Sequence, residues 1–101
     1  MEITEVRISL RNDDKLKAFA SMTFDDCFVV RGLKIIEGAG GFFVAMPSRK
    51  RGDGTYQDIA HPVNNHTRTK IEARILNEYA KEVGRLESGE TDYSTGSEDD
   101  E

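Results

Sequence analysis

Apolar residues recur at every second position through most of the first 46 residues, and at every third or fourth position from Ile71 onward. A period of two belongs to strands with one buried face. A period near 3.6 belongs to a helix with one buried stripe. One switch between the two periods confines the chain to a β-rich first half followed by a single helix. The fold class that follows is α+β: a small antiparallel sheet of about four to five strands, a basic β-arm or loop, and one C-terminal helix.

The strand half breaks at clear turn signals. Val6, Ile8 and Leu10 alternate with Arg7 and Ser9, so residues 3–10 form a half-buried strand. Asn12-Asp13-Asp14 supplies a polar turn. Residues 16–24 form a second strand, with Leu16, Ala18, Ala20, Met22 and Phe24 assigned to one pleat face. Asp25-Asp26 turns the chain again. Residues 27–36 are β-branched and aromatic, with Gly32 marking a bulge or a close backbone approach. After Gly38-Ala39-Gly40-Gly41, residues 42–46 make a short fourth strand stopped by Pro47. Residues 47–58 carry Ser48-Arg49-Lys50-Arg51 and an Asp53-Gly54 tight-turn signal. They read as a basic loop or β-arm whose second leg runs to about Ile59.

The helix is expected over 67–83. Asn65 or Thr67 is the candidate N-cap, Ile71, Ile75, Leu76, Tyr79 and Val83 form the apolar stripe, and Gly84 is the stop. Beyond it the composition changes. Residues 86–101 hold seven acids (Glu87, Glu90, Asp92, Glu98, Asp99, Asp100 and Glu101) and no Lys or Arg. The formal net charge is −5, so the rest of the chain stands at −5 + 7 = +2. The expected division is a domain over 1–85 and an acidic, disordered tail over 86–101.

A chain of 101 residues has room for one core, and its 37% hydrophobic content makes that core modest. Pairing with a second copy would help it, and an apolar strand at 42–46 would need its edge covered or paired. No run of about 18 apolar residues is present, so no transmembrane helix is expected. The acidic start MEITEVRISL does not resemble a secretory signal. Cys27, the one cysteine, sits in an apolar run. It reads as a buried small hydrophobe in a reducing compartment rather than as a nucleophile or redox sensor.

Two constellations point to chemistry. Arg49-Lys50-Arg51 places three cations in a glycine-containing loop, where a polyanion is the natural compensating partner; the bland alternative is a solvated loop. Thr67-Arg68-Thr69-Lys70 opens the helix, with Arg74 one turn further on the face of Lys70. Cations oppose the macrodipole there, yet the same backbone N–H groups suit an anion. Ordinary surface charge, with Arg74 paired to Glu78, is the alternative. From 47 to 74 six Lys or Arg residues face Asp53, Asp58 and Glu72, a local +3 that a dimer would double. Tyr56 is placed to stack on a base or simply to pack on the arm. His61 and His66 near Asp58 make a weak metal pattern, and no nucleophile elbow or phosphate-binding glycine loop is present. No enzyme activity, catalytic residue, metal or other cofactor, or small-molecule substrate is therefore expected.

The blocks Gly41-Phe42-Phe43-Val44-Ala45-Met46-Pro47-Ser48-Arg49-Lys50 and Asp58-Ile59-Ala60-His61-Pro62-Val63-Asn64 resemble the stage V sporulation protein G family. So do Thr67-Arg68, Leu76-Asn77-Glu78-Tyr79 and the opening Glu2-Ile3-Thr4-Glu5-Val6-Arg7. The match covers about residues 1–80. The resemblance implies a bacterial, cytoplasmic, homodimeric regulator of septation, sporulation or wider gene expression that binds DNA and, in some members, RNA. Carried onto this chain, it assigns nucleic-acid contact to Arg49, Lys50 and Arg51 in the arm and to Arg68 and Lys70 at the helix start, with a weaker carry-over to Arg74. Arg51-Gly52-Asp53-Gly54 departs from the usual pattern by an additional basic residue and an early glycine. The competing expectation is a protein-interaction adaptor that does not touch nucleic acid. Target sequence, the DNA–RNA balance and the role of the tail are not legible in the sequence.

Overall fold

In the computed structural model residues 1–93 are described, and they form six strands and one helix. β1 (Ile3–Leu10), β2 (Leu16–Phe24), β3 (Phe28–Gly38) and β4 (Gly41–Ala45) make an antiparallel sheet in chain order. β5 (Ser48–Lys50) and β6 (Tyr56–Asp58) make a separate two-stranded arm, and α1 (Asn65–Ser88) closes the order. The α+β class expected from the periodicity switch is the one observed.

Helix and sheet share one core. Leu33, Ile35 and Ile75 are its largest fully buried side chains, and Ala18 and Ala20 of the inner strand β2 are also wholly buried. Val6, Ile8, Leu76, Tyr79, Val83 and Leu86 pack around this centre. The apolar parity of the strands therefore faces α1, and the polar parity of β1–β3 lies on the opposite face of the sheet.

Two irregularities set which residue faces where. Ala20 pairs with Leu33 but Met22 pairs with Val30, so Arg31 and Gly32 together oppose Ser21. Gly32 has φ +80°, which makes this the bulge the sequence signals. A second shift lies between Leu16 and Ala18. It pairs Leu16 with Ile36, on the face away from the helix, so Leu16 does not join Ala18, Ala20, Met22 and Phe24 as expected.

Cys27 also differs from expectation, since it is exposed. Phe24 pairs with Phe28, which leaves Asp25, Asp26 and Cys27 as a three-residue hairpin loop. Asp25 and Asp26 take φ of 50° and 57°, a left-handed region that aspartate tolerates. The Asp25 side chain accepts a bond from the Glu2 amide, and Thr4 Oγ1 accepts one from the Asp26 amide, so the turn is tied to β1 while Cys27 projects outward.

The helix is longer than its glycine suggests. Gly84 lies inside it, and the stop is Gly89, with φ +84° and its N–H facing the Arg85 and Leu86 carbonyls. Packing of Leu86 on the core explains the extension past Gly84. Residues 86–88, assigned to the tail by composition, are thus helical; the expectation of disorder over 94–101 lies outside the described residues.

A Cβ built on Gly84 meets no atom within 4 Å. Gly84→Ala should therefore stabilise the fold by about 0.5–1 kcal/mol in urea unfolding, as for any glycine in an open helix interior. A helix-terminating glycine would respond with a loss.

Candidate nucleic-acid interface

The arm is held by its backbone. Ser48 pairs with Asp58, Arg49 with Gln57 and Lys50 with Tyr56. The Ile59 amide reaches the Pro47 carbonyl at 2.7 Å and extends the ladder to the arm's base. At the tip the Arg51 amide donates to Thr55 and the Gly54 amide to Arg51. Asp53 accepts from the Thr55 hydroxyl at 2.7 Å and from its amide at 3.0 Å. Those two bonds, the hydroxyl's first, hold the Asp53 carboxyl below its ordinary value. Gly54 takes φ +92°, which the turn needs. The result is a short ribbon with every residue from Ser48 to Ile59 exposed. The strict pairing places Lys50 beside Tyr56, a cation next to an open aromatic ring on one face of the ribbon.

The helix start is shaped by Asn64. Its backbone is extended at φ −146°, and its side chain accepts from the Thr67 amide at 2.8 Å. The cap therefore falls one residue before the nearer candidate. The first turn contains no acid, so nothing in it neutralises the positive end of the dipole. Lys70 is exposed and Arg68 half-buried. Arm base and helix start border one apolar cleft of about 280 Å³, whose lining includes Phe24, Phe28, Met46, Pro47, His61 and Thr67. Phe28 is 65% exposed beside it. The six predicted cations thus fall into two groups: Arg49, Lys50 and Arg51 on the ribbon, and Arg68 and Lys70 on the first helical turns, with Arg74 set apart.

Arg74 is committed elsewhere. Its guanidinium donates to the Ile3 carbonyl at 2.9 Å and stands 3.9 Å from Glu78. This side chain ties α1 to the first residue of β1. His61 Nδ1 lies 3.1 Å from the Pro62 carbonyl, and among the described residues no three His, Cys, Asp or Glu side chains gather as a metal cluster. Among the described residues no helix is long and apolar enough to cross a membrane.

A further set of cations lies on the strands. Arg7, Arg31 and Lys34 lie on the sheet face that α1 does not cover, Arg31 and Lys34 brought to one side by the Gly32 bulge, and the Arg11 guanidinium lies over the Phe19 ring on that same face, 5.4 Å from its centre. No sequence signal groups them, because strict alternation would set Arg31 and Lys34 on opposite faces and only the bulge brings them together.

These features define a small α+β protein with one helix-backed antiparallel sheet and a projecting cationic ribbon. The SpoVG family model matches residues 1–81, and the chain belongs to that family. A relative from an Anaeromyxobacter species is 53% identical over 100 residues, spanning 99% of this chain and all of its own. Relatives from Bdellovibrio bacteriovorus (54% over 91 residues, 90% of this chain and 82% of theirs) and Finegoldia magna (52% over 96, 94% and 89%) are similar. All three carry names that refer to septation.

Removing the Arg74 guanidinium leaves a half-buried carbonyl without its donor. Arg74→Met should cost about 1.5–3 kcal/mol of stability in urea unfolding, the range for a hydrogen bond to a charged group.

Proposed function

We propose that this chain is a non-enzymatic, cytoplasmic, homodimeric nucleic-acid-binding regulator of septation or sporulation, with DNA as its first ligand and RNA as the second to test. One observation carries the reading: the protruding ribbon holds Arg49, Lys50 and Arg51 in the open, and of their side chains none has an ion-pair partner among the described residues. Cations set out on a ribbon gain from a row of phosphates through counterion release. Lys50 and Tyr56, side by side, fit a phosphate and its stacked base. Arg68 and Lys70 add contacts at an anion-welcoming helix end. Arg74, held to Ile3 and Glu78, acts on structure.

Dimerisation is proposed at β4. It is an edge strand, and Phe42 and Phe43 are 48% and 45% exposed. Pairing β4 with its twin would continue the sheet and cover that edge. A second reading, a protein-interaction adaptor, is favoured by the apolar cleft beside the exposed Phe28.

Binding of a labelled duplex and of single-stranded RNA across a salt series separates the two. A log–log slope that falls by about 0.9 per lost duplex phosphate contact, or about 0.7 for a single strand, when Arg49, Lys50 and Arg51 become glutamine supports the ribbon assignment. A flat, weak response to both ligands supports the adaptor. Light scattering should give twice the 11.3 kDa chain mass; the chain mass itself would sink the β4 pairing.

A further inference from the structure

The face of the sheet away from α1 holds a recess of about 200 Å³. Two cross-strand rows build it: Glu5, Thr23 and Val29, then Arg7, Ser21 and Arg31. Ser21 is its floor. It is 5% exposed, yet its hydroxyl has no hydrogen-bond partner among the described residues. With no protein partner, this buried hydroxyl is left to bond whatever enters the recess, and it is aimed where an incoming oxygen atom would sit. Both flanking residues are arginines. Arg7 stands 3.3 Å from Glu5, and Arg31 makes no ion pair among the described residues. The Gly32 bulge is what sets Arg31 opposite Ser21.

We infer that this recess is a phosphate-binding site, and that it takes a backbone phosphate of the nucleic acid. The inference rests on the nucleic-acid reading above but concerns a different face of the molecule. Arg7 and Arg31 supply the guanidinium donors, and the Ser21 hydroxyl, with Thr23 beside it, donates to a phosphate oxygen. Glu5 orients Arg7 and competes with the anion for it. Lys34, in the next row of the same face, continues the positive track. With Glu5 as the acid of these rows, the face is net cationic on a chain whose overall charge is −5. That charge selects a polyanion over a second copy, because two such faces pressed together would set arginine against arginine. The apolar residues of this face, Ile36 and Phe43, lie toward β4, so pairing at the β4 edge leaves the recess open.

Amide NMR of the full chain, titrated with inorganic phosphate and separately with a mixed-sequence single-stranded oligonucleotide, tests the site. Both probes should shift the Arg7, Ser21, Thr23 and Arg31 signals. Arg31→Gln should flatten the oligonucleotide's log–log salt slope by about 0.7, one phosphate contact. Glu5→Gln should tighten binding by freeing Arg7. Ser21→Ala should weaken binding while raising Tm, since it deletes the unpartnered hydroxyl. Unshifted signals, or a Ser21→Ala variant that gains Tm and binds as before, would overturn the site. So would shifts with inorganic phosphate alone. If glutamines at Arg49, Lys50 and Arg51 abolish binding while Arg31→Gln is silent, this inference fails and the ribbon assignment stands. The converse result removes the ribbon and keeps the recess.

Discussion

Everything in this molecule depends on α1 covering one face of the sheet, where it meets β1, β2 and β4. Ala18 and Ala20 of β2, Leu33 and Ile35 of β3, and Ile71 and Ile75 of α1 belong to one buried cluster between helix and sheet. A four-stranded sheet with one apolar face cannot stand alone in water, and α1 is what covers it. Position and length of the helix then fix the rest. Its start brings Thr67 to the cleft that Met46 and Pro47 line at the base of the ribbon, and Arg74 locks its first turns to Ile3. Phe42 of β4 meets Tyr79 edge-on at 5.6 Å, which carries the contact to the sheet's far edge. Burial there lifts the Tyr79 phenol above its ordinary value.

The basic ribbon is placed by that packing but not packed into it. Met46 and Pro47 are buried, and every residue from Ser48 to Ile59 is exposed. Its shape comes from local hydrogen bonds alone: the short ladder and the Asp53–Thr55 turn. Such a segment can change its side chains with little effect on the core. This is where Arg51-Gly52-Asp53-Gly54 departs from the pattern the chain otherwise resembles.

Much of this was legible in the sequence because the signals were local. Alternation in residues 3–10, the aspartate and glycine turns, and the Asp53-Gly54 signal each dictate their own few residues, and each element formed where they indicated. What misled were residues whose fate is decided at a distance. Gly84 looks like a stop, but Leu86 two positions on has a place in the core, and the helix continues to reach it. Cys27 sits in an apolar run, yet the pairing of Phe24 with Phe28 puts it in a turn. Leu16 falls to the other face through a register shift that no pattern announces. Spacing groups Arg74 with the helix-start cations, whereas the Ile3 carbonyl that holds it lies 71 residues away in the chain. The Arg7–Ser21–Arg31 row needs three strands and a bulge, so only the folded sheet assembles it.

The length of α1 has an electrical consequence. Its 24 residues separate the two ends of the helix by about 36 Å at 1.5 Å per residue. Arg68 and Lys70, with the ribbon nearby, lie toward one end; Glu82, Glu87, Glu90 and Asp92 lie toward the other. The helix's own dipole points the same way. A body so polarised has a torque on it in the field of any polyanion. Such a torque would turn the ribbon end of the molecule toward the polyanion and its acidic end away.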